Sequence, residues 1–210
     1  MDNLKRISPQ RRTLIFLNIL ISCIASSMLS TALTTALSLI SNDLQISVTT
    51  GQWITSGYSL AMGIIMPLTA FLITRFPTKK LYLSGIGIFL GGLLISFVSQ
   101  NFYTMMIGRI LQACGNGILM SMAQVVILTI YPVEQKGTIM GWYGLASGAA
   151  PVIAPTLAGI LIDLISWRAI FLVVSIIMLL SFVMAFFVFD NILETTQKDF
   201  DGTSFILSIL

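Results

Sequence analysis

Arg109 is the only charged residue inside a predicted membrane-spanning run of this 210-residue chain, where it stands in IGRILQACGNG. A guanidinium near the centre of a helix in hydrocarbon costs about 2.5–3.5 kcal/mol on insertion scales. Two placements relieve that cost. The side chain faces protein or a water-filled cavity, or it snorkels to the headgroups, since Arg109 lies five residues from the outer end of its run. Gln112 follows three residues later on the same helical face, and such a pair suits a cavity lining better than a lipid face.

A second constellation lies downstream. Gly137, Gly141, Gly144, Gly148, Pro151, Pro155 and Gly159 follow one another at steps of 4, 3, 4, 3, 4 and 4, which places all seven on one stripe of a helix. Glycines let a neighbouring backbone approach closely, and each proline deletes a backbone hydrogen bond and bends the helix. The stripe reads either as a static packing seam or as a bent face that slides against a partner. Near the outer end of another apolar run stand Gln52, Trp53 and Tyr58, with Met62, Met66 and Pro67 further in. Trp53 suits an interfacial anchor, and the methionines supply soft, adaptable surface.

Other chemistries lack their residues. The chain has no histidine, no HExxH, no GxSxG and no carboxylate pair within an apolar run, so neither a hydrolase nor a metal enzyme is expected. Ser147 before Gly148 has no base to activate it. Cys23 and Cys114 sit apart in apolar surroundings and read as small core hydrophobes.

The elements that must carry these residues are membrane helices. Hydrophobic residues make up 56% of the chain and charged ones only 9%, with a mean hydropathy of +0.96. That leaves no polar shell for a soluble domain, and it excludes disorder, a disulfide scaffold and a nucleic-acid binder. A span needs about 20 mostly apolar residues. Six such runs occur, at 13–40, 52–74, 81–99, 104–130, 138–162 and 169–189. A basic tail, 1–12, precedes them, and a polar linker, 190–202, follows. The last eight residues, 203–210, read as the opening of a seventh helix. Nine basic residues fall on one side: Lys5, Arg6, Arg11, Arg12, Arg75, Lys79, Lys80, Lys136 and Lys198. Only Arg168 falls on the other, so the positive-inside rule makes the N-terminus cytoplasmic.

The ordered motifs resemble the 14-helix drug:proton antiporters of the major facilitator superfamily, especially the lincomycin-resistance-type multidrug exporters. GQWITSGYSLAMGIIMPLTAFL is similar to the family's span two, and RFPTKK, with Arg75, Lys79 and Lys80, stands where its cytoplasmic loop motif falls. GRILQACGNG matches the span-four signature at Arg109, Gln112 and Gly115. GLASGAAPVIAPTLAG matches the antiporter signature at Gly144, Gly148, Pro151, Pro155 and Gly159, and SWRAIF matches the start of span six. The resemblance extends from about Ser30 to the end of the chain.

It implies one all-helical major facilitator half, built as a 3+3 inverted repeat in the cell membrane, and alternating-access export of small lipophilic or amphiphilic drugs. It implies no cofactor, the proton gradient being the energy source, and a missing C-terminal half as partner. Arg109, Gln112 and Gly115 then line the cavity or couple transport, Trp53, Tyr58 and Met62 face substrate, and span five forms the surface on which the halves rock.

Several positions depart from that pattern. Thr74 stands where many relatives carry a loop aspartate, with Ala70 and Pro77 in place of flanking glycines, and neither Leu29 nor Ser30 can ionise. A proton-coupled carrier needs a titrating group in its pathway, and in this half the sequence nominates only Asp163, at the outer end of span five. The alternative expectation is a complete half-size protein acting as a homodimer or as partner of a full-length relative.

Overall fold

The computed structural model describes residues 8–190 and 192. Most of the predicted linker, and all of the run 203–210, lie outside the described residues. Six helices follow one another: α1 (Pro9–Asp43), α2 (Val48–Arg75), α3 (Thr78–Phe97), α4 (Phe102–Ile130), α5 (Val133–Leu164) and α6 (Arg168–Val188). All six are long and apolar enough to cross a membrane, and no strand occurs among the described residues.

Local chemistry sets where the helices begin. Ser8, Ser47 and Asn101 each accept the backbone N–H three residues on, from Arg11, Thr50 and Thr104, and so satisfy an orphan donor of the first turn. Pro9 occupies the first helical position of α1, where its missing N–H costs nothing. Helix and hydropathy edges therefore differ. α1 starts inside the basic tail, and α5 starts at Val133, running through the polar stretch VEQKG ahead of the predicted span. Hydropathy marks the hydrocarbon, whereas the backbone ladder continues through polar side chains into the interface.

The packing repeats itself. α3 lies on α4 as α6 lies on α1, α2 lies on α4 as α5 lies on α1, and α3 meets α6 between the two sets. Exchanging α1–α3 for α4–α6 in order thus maps the principal contacts onto themselves. Each triplet crosses three times, so the second enters from the opposite side: this is a 3+3 inverted repeat.

The closest backbone approach lies between α3 and α4. A Cβ placed on Gly92 would fall 2.6 Å from the Gly108 carbonyl oxygen, and one on Gly115 would fall 2.6 Å from that of Gly85. These four glycines stand seven apart on each helix, so they form the small-residue seam of the bundle. The predicted glycine stripe of α5 does not form one among the described residues. A Cβ on Gly137, Gly141, Gly144, Gly148 or Gly159 would meet no atom within 4 Å. α5 packs instead through Tyr143, Ala150, Ala154 and Ala158, which turns the glycines outward.

Two ion pairs fasten the ends of α1 to α6. Arg11 bonds Asp190 at 2.7 Å and donates from Nε to the Val188 carbonyl at 3.0 Å. At the other end Arg168 bonds Asp43 at 2.7 Å and donates to the Ser99 carbonyl at 2.9 Å.

Candidate functional site

Asn101 caps α4 at its start and places Arg109 two turns inside the helix, where its side chain is 0% exposed. Snorkelling to the headgroups is thereby overturned: the guanidinium points into protein. Its Nε donates to the Ile54 carbonyl of α2 at 3.2 Å, and Nη1 donates to Gln112 Oε1 at 2.6 Å. The guanidinium carbon lies over the Tyr58 ring, 4.0 Å from its centre. Gln112 carries the chain of contacts to α3, donating from Nε2 to the Gly92 carbonyl at 3.0 Å and to Ser96 Oγ at 2.8 Å. Asn116 Nδ2 reaches the Tyr58 hydroxyl at 2.8 Å and the Met62 sulfur at 3.4 Å.

Arg109, Gln112 and Asn116 therefore form one polar stripe on α4 that ties α2 to α3. Both ion pairs among the described residues lie at the helix ends, so carbonyl, amide and ring dipoles surround Arg109 in place of a carboxylate. Arginine stays charged, and a buried charge with neutral partners is costly. Its Nη2 is buried with no partner among the described residues. The arrangement holds a permanent positive charge in a low-dielectric interior with one N–H pair unspent, which attracts an anion or an acceptor atom.

The other predicted residues separate into groups. Tyr58 is buried against Arg109 and Met62 is half-buried beside Asn116, whereas Trp53 is 57% exposed. Gly115 lies in the α3–α4 seam rather than on a cavity, because only a bare backbone fits there. Asp163 is exposed at the far end of α5 and forms no ion pair among the described residues. Arg75 is exposed, 5.9 Å from the Phe71 ring centre, the Lys79 ammonium lies 5.1 Å from that of Phe186, and Lys80 borders a cleft with Phe76 and Leu81. Gly144, Gly148 and Pro155 are exposed, and Pro151 and Gly159 are half-buried.

A second polar network went unread in the sequence. Tyr82 donates to Asn18 Oδ1 at 3.0 Å, Asn18 Nδ2 donates to the Ser181 carbonyl at 2.8 Å, and Ser22 and Ser181 share a bond at 2.8 Å. It joins α1, α3 and α6. Its one sequence signal is Asn18, a lone amide in the first apolar run. Asn116 had a clearer signal, seven residues after Arg109 and four after Gln112.

Comparison with known proteins agrees with this architecture. Residues 15–206 match the family described as Major Facilitator Superfamily. An uncharacterized MFS-type transporter of Bacillus subtilis, YhcA, is 41% identical over 86% of this chain and 34% of its own length. The lincomycin resistance protein LmrB of Listeria monocytogenes is 32% identical over 86% of this chain and 38% of its own. Multidrug resistance protein 3 of Bacillus subtilis is 31% identical over 75% of this chain and 30% of its own. The chain thus spans about a third of the length of these curated relatives. A crystal structure of the peptide transporter POT in complex with sulfate shares the fold, with a TM-score of 0.72, 13% identity, and 81% of this chain and 36% of that one covered.

Proposed function

The chain belongs to the major facilitator superfamily, a family of multi-pass membrane transporters rather than enzymes, and on that premise we propose that it forms the N-terminal half of a proton-coupled exporter of lipophilic, drug-like molecules. The observation that carries the reading is Arg109: a fully buried, permanent charge with a free Nη2, tied directly to α2 through Ile54 and Tyr58. A movement of α2 changes the surroundings of that charge at once. α2 and α5 are the least enclosed helices of the six, and their uncovered faces suit a second six-helix half. The lincomycin- and multidrug-resistance names of relatives support the substrate class, and the basic residues of the tail and loops support a cytoplasmic N-terminus in the cell membrane.

In this reading substrate and proton occupy the space between the halves in turn. The glycine and proline face of α5 is the sliding surface, and Arg109 senses the exchange. The titrating carboxylate belongs to the other half or to Asp163. The test uses the whole protein in efflux-deficient cells and in inverted vesicles. Expression should lower ethidium accumulation, and adding ethidium to energised vesicles should release protons. Accumulation and proton flux both unchanged by expression would overturn the proposal. A second copy of this chain is the other cover for α2 and α5, and cross-linking with an intact mass of the membrane-extracted protein separates the two.

A further inference from the structure

Beside the Arg109 cluster, at the meeting of α1, α3, α4 and α5, lies a cavity with about 10 Å³ open to the centre of a water molecule. Its polar lining comes from Ser22, Cys23, Ser26, Tyr82, Asn116 and Tyr143. Two of these carry under-satisfied buried polar atoms: Oδ1 of Asn116 has no hydrogen-bond partner among the described residues, and the hydroxyl of Tyr143 meets only the Cys23 thiol. Both side chains are more than nine-tenths buried, at 4% and 5% exposed. Exchanging the amide oxygen and nitrogen of Asn116 would leave the same side of the amide unmatched, so the deficit belongs to the place. The thiol beside Tyr143 is that of Cys23, a weak partner.

An orphaned buried polar group costs about 1–3 kcal/mol, and Asn116 and Tyr143 line one cavity, where a single guest lies within reach of both side chains. The room fits one water, whose usual three hydrogen bonds match what is offered here: one to Asn116, one to Tyr143, and one to the serine oxygens of α1. Larger or charged guests do not fit the volume, and the site has no group to neutralise an ion.

We propose that this cavity is a resident-water site, which joins Tyr143 of α5 to Asn116 of α4. Tyr143 is the only buried side chain of α5 with a polar atom, the others being alanines. The water therefore gives α5 a polar connection to Asn116, to Tyr58, and so to Arg109. The inference does not depend on the transport reading.

Hydroxyl-radical labelling by a brief X-ray pulse tests it, because radicals form from water where that water is held. The sample is the whole protein in membrane vesicles, with Phe171, fully buried and away from the cavity, as the internal reference. Normalised to each side chain's intrinsic reactivity, Tyr143 and Cys23 should label several-fold faster than Phe171, and Tyr143→Phe should cut the labelling of Cys23 several-fold by removing one of the water's partners. Labelling of both residues as slow as Phe171, or Cys23 labelling unchanged in Tyr143→Phe, would overturn the proposal. Should Tyr143→Phe fail to accumulate, Asn116→Leu is read at Cys23 and Tyr143 with the same two outcomes.

Discussion

The guanidinium carbon of Arg109 lies over the ring of Tyr58, 4.0 Å from its centre, while the hydroxyl of the same tyrosine accepts from Asn116 at 2.8 Å. One side chain of α2 thus serves two polar residues of α4, the ring by its negative face and the oxygen by its lone pair. A desolvated contact of the first kind is worth about 2 kcal/mol. Tyr58→Phe keeps it and drops only the Asn116 bond, whereas Tyr58→Leu drops both. Thermal unfolding of the purified protein should place Tyr58→Phe below wild type, through the lost Asn116 bond, and Tyr58→Leu clearly below Tyr58→Phe. Equal unfolding temperatures for the two variants would show that the ring contributes nothing.

Arg109→Lys keeps the charge and loses the fork. An ammonium cannot serve the Ile54 carbonyl and Gln112 together and still lie flat on the ring. Losing one hydrogen bond to a charged group corresponds to about 1.5 kcal/mol, or roughly tenfold. Dye efflux by Arg109→Lys and Arg109→Ala, at matched expression, should fall by at least that factor. Efflux by Arg109→Lys within twofold of wild type would mean that charge alone suffices.

Two glycine substitutions should fail in different ways. Gly115→Ala pushes a methyl to 2.6 Å from the Gly85 carbonyl and from the Phe89 amide, both backbone atoms, and overpacking of that kind costs about 1–3 kcal/mol. Its signature is reduced yield and earlier unfolding. A Cβ on Gly148 would meet nothing within 4 Å among the described residues and the residue is exposed, so Gly148→Leu should leave the six-helix bundle folded, with transport lost through the outward face. Normal folding by Gly115→Ala, or normal transport by Gly148→Leu at equal expression, would contradict the respective assignment.

Asp43→Asn breaks the Arg168 pair, whose side chains are 31% and 45% exposed. Exposed pairs contribute about 0.2–1 kcal/mol and are screened by salt. Unfolding measured in low and high salt should show a small deficit for the variant that shrinks as salt rises. A deficit independent of salt would point to lost packing.

The six spans were legible because bilayer thickness imposes length and apolarity on each helix, a constraint that acts residue by residue, whereas their inverted arrangement was implied only by the family resemblance. Arg109 and Gln112 were legible for a related reason, since a charge in an apolar run announces its own cost. Their partners were not. Ile54 contributes a carbonyl, which every residue owns, and Ser96, Tyr82 and Ser181 acquire meaning only through the helix opposite. The glycines show the limit well. Those of α5 and those of α3 and α4 recur at the same helical spacing, and spacing says that a stripe exists without saying what stands across from it. Across from Gly92, Gly108 and Gly115 stands backbone; across from Gly148 stands nothing among the described residues.

The two triplets are joined along two equivalent borders, and the borders are made of opposite materials. α3 meets α4 through missing side chains, a close-packed joint with no ion pair among the described residues. α1 meets α6 with an arginine and an aspartate at each end, their order reversed from one end to the other, and ionic strength acts on that border alone. A symmetric fold therefore carries an asymmetric response to its surroundings: dissolved salt reaches the charged rim of one border and leaves the glycine seam of the other untouched.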